Sequence, residues 1–189
     1  MVILASASPR RKQLLEQAEI KFKILVKDTD EIIPAKTAIK DVPIAIAKVK
    51  ALAIKNEVDY NDIIIAADTI VYLNSEIIGK PKNAKDALAI LNKLNGQCHQ
   101  VITGVYILQN DSAYFFSEIT KVYFSKLTEA QLKFYVEKFK PYDKAGAYAI
   151  QEWIGVVGIQ KIEGCFYNVM GLPVNSLLKC LSDNKLMAF

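Results

Sequence analysis

Strand-length apolar runs and helical patterns alternate along these 189 residues, and that alternation limits the fold more than any other feature. Val2 to Ala5 reads as a short buried strand, and Ser8-Pro9 opens a helix to about Ala18. Ile20 to Val26 reads as a second strand, followed by the acidic stretch Asp28-Thr29-Asp30-Glu31. Val42-Pro43 starts an Ala-rich helix reaching about Lys55. Ile63-Ile64-Ile65 forms a continuous apolar run, and Thr69 to Leu73 continues as strand beyond Asp68. Asn74-Ser75 turns the chain into Glu76-Ile77-Ile78, and Ala84 to Leu94 is an amphipathic helix closed by Asn95-Gly96. Two long strands, His99 to Leu108 and Ala113 to Phe124, flank Asn110-Asp111, and Thr128 caps a helix to about Lys138. Gly146 to Ile150, Val156 to Ile162 and Phe166 to Met170 read as further strands, and Gly171-Leu172-Pro173 introduces a last helix over about Val174 to Leu181. Elements interspersed in this way predict an α/β or α+β chain with a mixed sheet. Neither a repeat nor a linker interrupts residues 1–189, which are expected to form one domain.

Hydrophobic residues make up 52% of the chain and charged residues 23%, enough for a sizeable core under a normal charged surface. The net charge of +4 would help attract a polyphosphate. With no dense Lys/Arg run and no interleaved aromatics, it does not predict a nucleic-acid partner. Cys98, Cys165 and Cys180 match neither a disulfide framework nor a zinc pattern, and are expected to be reduced thiols in a cytoplasmic protein. The single histidine, His99, falls in a strand-like run and reads as structural. No stretch reaches the roughly 18 apolar residues that span a bilayer. Chemistry in this chain therefore falls to carboxylates, lysines, arginines and a bound metal.

Five segments carry that chemistry. In Ser6-Ala7-Ser8-Pro9-Arg10-Arg11, three cations (Arg10, Arg11, Lys12) follow a helix cap and so lie at the positive end of the helix dipole. Each is unfavourable there by roughly 0.3–1 kcal/mol unless an anion binds, and the backbone N–H groups, hydroxyls and guanidinium forks together suit a phosphate. Asp68 ends an apolar run, where a carboxylate has its proton affinity tuned, holds a metal, or simply caps a turn. Gly79-Lys80-Pro81 is not a Walker A loop, but Pro81 forces Lys80 toward an extended conformation between a strand and a helix. In the Val42 to Lys55 helix, Lys50 lies in one apolar stripe (Ile46, Val49, Ala53, Ile54) and Lys48 in another (Ile44, Ala47, Ala51, Leu52). Periodicity does not choose between the two lysines. Gln151, after Lys144-Ala145-Gly146-Ala147-Tyr148-Ala149-Ile150, offers a donor and an acceptor that suit the edge of a uracil or thymine base, or water.

In this order and at this spacing, the motifs Leu4-Ala5-Ser6-Ala7-Ser8-Pro9-Arg10-Arg11, Ala67-Asp68-Thr69, Gly79-Lys80-Pro81, Ala145-Gly146-Ala147-Tyr148, Ile150-Gln151 and Gly171-Leu172-Pro173 resemble the Maf family of nucleoside triphosphate pyrophosphatases. The resemblance covers nearly the whole chain, from Ile3 to about Val174. It implies a two-lobed Maf/ITPase-like fold, with a central mixed sheet flanked by helices and a cleft between lobes. It also implies hydrolysis of a nucleoside triphosphate between its α- and β-phosphates with a divalent cation, Mg²⁺ or Mn²⁺. Asp68 matches the proposed general base and a metal position. Ser6 or Ser8, Arg10, Arg11, Lys50 and Lys80 match phosphate-binding positions, so the family pattern selects Lys50 over Lys48. Glu31 lies where the family often carries an acidic residue near the metal.

Arg10, Thr69 and Gln151 resemble the subgroup acting on dTTP and UTP rather than the one acting on 7-methyl-GTP. Modified pyrimidine nucleotides such as 5-methyl-UTP and pseudouridine triphosphate are a further reading. The commonest pattern has glycine after the glutamine, whereas here Glu152-Trp153 follows and the segment looks a residue longer. The rival reading is a non-catalytic, nucleotide-sensing regulator of septum formation. The expected partner is a small nucleotide, with neither nucleic acid nor membrane. Whether the chain forms a homodimer is left open.

Overall fold

The all-apolar runs become inner strands. The computed structural model describes residues 1–30 and 36–187, so Glu31 lies outside the described residues. β1 (Val2–Leu4) is buried at every position, as is most of β3 (Ile63–Leu73) and of β5 (Cys98–Gln109). Such strands need cover on both faces. Helices α1 (Pro9–Gln17), α2 (Val42–Ile54), α3 (Ala84–Leu94) and α4 (Glu129–Phe139) lie between strands in the chain, followed by the short α5 (Trp153–Gly158) and α6 (Phe166–Met170) and by α7 (Val174–Asp183). The remaining strands are β2 (Phe22–Ile24), β4 (Glu76–Ile78), β6 (Ser112–Phe124) and β7 (Ile159–Glu163). Among the described residues they make one mixed sheet in the order β2-β1-β3-β5-β6-β7, with β4 paired to β3. β1 runs parallel to β2 and β3, while β3–β4 and β6–β7 are antiparallel. The expected α/β class with a central mixed sheet flanked by helices is what the chain adopts.

The chain divides into two compact units, Met1–Asp68 with Thr103–Glu118 and Gly171–Phe189, and Thr69–Ile102 with Ile119–Met170. In the first, Val2, Ile3 and Leu4 lie opposite Ile63, Ile64 and Ile65. Ala47, Ala51 and Ile54 of α2 share a core with Ile3, Ala5, Ile64 and Ala66. The inward face of α2 draws on both stripes seen in the sequence, because Ile46 and Ile54 are buried along with Ala47 and Ala51. In the second unit, Asn74 and Ser75 both have positive φ, as a two-residue hairpin between β3 and β4 requires. Thr128 and Gln131 form a capping box at the start of α4, with the Gln131 amide donating to the Thr128 hydroxyl at 3.3 Å.

Two predicted strands are not strands, and a third is strand only in its second half. Residues 145–147 form a 3-10 turn, since Gly146 (φ 73) and Ala147 (φ 57) take the left-handed conformation that ends an extended run. Val156 and Val157 look like strand residues, yet they sit in α5, where Val156 is 82% exposed and packing does not enforce an extended backbone. Only Ile159–Glu163 of that stretch pairs as β7. Phe166–Met170 closes into the short helix α6. No helix among the described residues is long and apolar enough to cross a membrane.

Candidate functional site

In the first unit the chain leaves β1 beside the part of β3 that leads to Asp68. Leu4 lies opposite Ile65, and the Ala5 amide donates to the Ile65 carbonyl at 2.8 Å. The two strands are parallel, so Ser6 and Ala7 leave β1 on the side toward which β3 runs on through Ala67 and Asp68. The carboxyl end of a parallel strand such as β1 is where open α/β sheets bind ligands.

Ser6 and Arg11 build the segment that follows. The Ser6 hydroxyl accepts from the Ser8 amide at 3.3 Å and from Arg11 Nη1 at 3.0 Å. Arg11 is buried, and its Nε donates to the Gly171 carbonyl at 2.8 Å. The Gly171-Leu172-Pro173 motif thus meets the first motif through one guanidinium. Ser8 is the helix cap, its hydroxyl accepting from the Arg11 amide at 3.4 Å. Pro9 has no N–H to give, so the start of α1 presents two fewer open amides than an uncapped helix. The affinity of this end for an anion therefore depends more on its side chains than on its backbone. Lys12 pairs with Glu16 one turn along, whereas Arg10 is half-buried at the helix start.

Lys50 and Asp68 form an ion pair, the ammonium donating to Oδ1 at 2.6 Å. Both are partly sheltered, with side-chain exposures of 21% and 15%. Lys48 is exposed. The small Ala47 and Ala51, both fully buried, set the helix close on the sheet and bring Lys50, on the flank of that face, to Asp68, where the unbroken buried run Ile63–Ala67 ends. The pair uses one of the two carboxylate oxygens.

No group of three or more His, Cys, Asp or Glu residues is close enough to hold a metal among the described residues. Asp68 nevertheless suits a magnesium-type ion, which is commonly held by one or two carboxylates together with substrate phosphates.

In the second unit Thr69 is half-buried just beyond Asp68 in β3, and Lys80 is exposed before the buried Pro81. The Gly146 amide donates to the Gly79 carbonyl at 3.1 Å, which joins the Gly79-Lys80-Pro81 segment to the Ala145–Ala147 turn. Beneath that turn Tyr148 is buried, its hydroxyl 2.7 Å from His99 Nε2. His99 is structural, as its strand position predicts, and burial pushes its pKa down to about 4. Its Nδ1 has no partner among the described residues.

Gln151 is exposed in a turn closed by the Glu152 amide donating to the Ala149 carbonyl at 3.1 Å. Around this turn lie residues that the sequence did not identify as a group. The Tyr135 hydroxyl donates to Glu152 Oε2 and accepts from the Ala149 amide at 3.2 Å. Lys144, nearly buried, lies 3.5 Å from Glu152 Oε1 and donates to Asp143 at 2.7 Å. Burial, and then the hydrogen bond to Glu152, raise the Tyr135 pKa above the ordinary phenol range. The one signal in the sequence was Glu152 itself, standing where the commonest family pattern has glycine.

The sequence profile described as a Maf-like protein matches residues 1–184. The dTTP/UTP pyrophosphatase of Cytophaga hutchinsonii is 49% identical over 178 residues, covering 94% of this chain and 81% of that protein. The dTTP/UTP pyrophosphatase of Parabacteroides distasonis is 45% identical, over 93% of this chain and 92% of that protein. In architecture, the chain is similar to the Staphylococcus aureus Ham1 protein, with a TM-score of 0.57 at 16% identity over 97% of this chain and 98% of that one, a likeness of fold.

Proposed function

The chain belongs to the Maf-like family, and from that premise we propose that it is a pyrophosphatase converting dTTP and UTP to the monophosphate and pyrophosphate. Support within the structure comes chiefly from the register of β1 on β3, which places the start of the Ser6–Arg11 segment and the Lys50–Asp68 pair just beyond the carboxyl end of the β1–β3 pairing. Cations and a carboxylate in one unit, beyond the β1–β3 pairing, suit hydrolysis of a polyphosphate better than its mere sensing, because a lone binding site gains nothing from an anion among its phosphate ligands. The regulator reading is correspondingly not favoured.

Within this proposal Arg10, Arg11, Lys50 and Lys80 hold the phosphates, with Ser6 and Ser8 shaping the segment that carries the arginines. Positive charge placed where the departing pyrophosphate gains negative charge lowers the barrier. Asp68 orients the attacking water and accepts its proton. Lys50 holds the Asp68 carboxylate in place and offsets its repulsion toward the phosphates. Asp68 is also the residue that would hold a divalent cation, with Glu31 as a second ligand by the family pattern. Bound there, the cation supplies further neutralisation of phosphate charge. Thr69 and Gln151 read the base, Gln151 through the donor and acceptor of its amide.

The test is product identity. The chain is incubated with UTP, dTTP, CTP, GTP, 5-methyl-UTP and pseudouridine triphosphate, with Mg²⁺ or Mn²⁺, and the products are separated. Monophosphate and pyrophosphate from UTP and dTTP are expected. Diphosphate and orthophosphate, or no turnover of any of them, would overturn the proposal.

A further inference from the structure

The turn that carries Gln151 has no regular secondary structure of its own, yet it is held at three points within its unit. The Tyr135 hydroxyl touches both ends, accepting from the Ala149 amide and donating to the Glu152 carboxylate. Tyr135 is fully buried on α4, so this staple has a rigid base. Lys144 meets the other carboxylate oxygen of Glu152 and is itself braced by Asp143. From the far side α5 presses on the turn. A Cβ on Gly155 would lie 1.7 Å from the Ile150 carbonyl oxygen, so only glycine fits there. Trp153, next to Glu152, stacks edge-on against Phe134 of α4 with ring centroids 4.9 Å apart, tying α5 to the helix that supplies Tyr135.

We propose that Tyr135, Glu152 and Lys144 are positioning residues that set base specificity by fixing the Gln151 turn. This inference rests on the assignment of Gln151 to the base. An amide distinguishes uracil from cytosine only if its donor and acceptor are held in register with the base edge. A side chain at the tip of an unbraced turn rotates to satisfy either base. Discrimination of that kind comes from polar groups left unpaired by the wrong ligand, and it is lost when those groups are free to move. Glu152 in place of a glycine gives the carboxylate that this staple needs. The chain thus supplies with side chains a rigidity that a shorter segment would have from its backbone.

The experiment is a double-mutant cycle on the full chain, read as the ratio of kcat/KM for UTP to that for CTP. Tyr135→Phe removes the hydroxyl and keeps the ring. The ratio is expected to fall about tenfold, the order of one charge-assisted hydrogen bond, mostly through a higher KM for UTP. On a Gln151→Ala background, where the reader is gone, Tyr135→Phe should change the ratio no further. An equal fall in both backgrounds would mean a merely structural role and would overturn the inference, as would an unchanged ratio in the single variant. If Gln151→Ala alone leaves the ratio intact, the base-reading assignment fails first and takes this inference with it. Should Tyr135→Phe not fold, Glu152→Gln keeps an acceptor for Tyr135 and removes the charge facing Lys144. It is expected to lower the ratio about threefold, in the Gln151 background only.

Discussion

At the start of α1 the groups assigned to the phosphates bond directly to one another, whereas Gln151 is held indirectly, through the residues on either side of it. Ser6, Ser8 and Arg11 bond to one another within six residues, and the Gly171 carbonyl joins them from elsewhere in the chain. Gln151 sits between Ala149 and Glu152, which are gripped by Tyr135 and Lys144. The first region is a contiguous motif whose charges are part of the chemistry. The second is a mobile type of backbone made rigid by a buried hydroxyl and an ion pair. The difference teaches where each is vulnerable: substitutions in the first region should act on turnover, and substitutions around the second on stability and selectivity.

Asp68→Asn, in the same unit as the first region, should give the largest effect and place the chemistry in that unit. The amide keeps its size and a contact for Lys50 but cannot take a proton. Pyrophosphate release from UTP is expected to fall about 10³-fold or more, with nucleotide affinity and thermal midpoint little changed. An Asp68→Asn chain of undiminished activity would remove the carboxylate from the mechanism. Arg11→Ala is next, and here the two regions should resemble each other, because Arg11 is buried and bridges Ser6 to Gly171. A fall in kcat/KM for UTP of about 10²-fold is expected, together with a loss of stability of about 1–3 kcal/mol. Arg11→Lys keeps the charge but cannot reach both partners at once, so stability should fall there too. Unchanged urea midpoints in both variants would show that the bridge is dispensable.

That contrast also explains what was legible in the sequence. Ser8, Pro9 and the two arginines announce a capped, cationic helix start because cap and charges are adjacent, and the family motifs gave Asp68 and Gln151 their candidate roles. The inner strands were equally plain, since Val2–Leu4 and Ile63–Ile65 have no polar face to turn outward. Periodicity left Lys50 and Lys48 undecided, because α2 buries residues from both apolar stripes, and it was the family pattern that favoured Lys50. Val156 and Val157 misled because β-branched residues favour strands, although here they lie on the exposed side of a helix that packs little. The Tyr135–Glu152–Lys144 staple left almost no trace. Its members are spaced by chance of topology, and Tyr135 alone looks like any aromatic residue on a helix.

Gly155→Ala tests the second region without touching a polar group. The added methyl would overlap the Ile150 carbonyl, so α5 or the Gln151 turn must shift. A destabilisation of roughly 3 kcal/mol is expected, at the upper end of overpacking effects. Gly79→Ala, in the same unit, has nothing within 4 Å of the new carbon and should leave the thermal midpoint nearly unchanged. Equal midpoints for the two variants would show that the turn is not pressed by α5.

The smallest effect expected is a pH dependence confined to the second unit. His99 is buried against Phe124 and Tyr148, with ring centroids 5.5 Å away in each case, and its Nε2 meets the Tyr148 hydroxyl. Burial lowers its pKa from 6.5 to about 4. Between those values the unfolded chain binds a proton that the folded chain refuses, so stability must fall as pH is lowered through this window. Above pH 6.5 both states hold a neutral imidazole and the group has no influence. By pH 5 its contribution reaches about 2 kcal/mol, since each pKa unit corresponds to about 1.4 kcal/mol. Urea midpoints for wild type and His99→Gln, measured at pH 7 and pH 5, isolate this group from the carboxylates, which titrate in both proteins. The wild type should lose more stability over that interval than the variant. The same loss in both would mean that His99 becomes charged in the folded chain as readily as in the unfolded one, and that the core beneath the Ala145–Ala147 turn admits water.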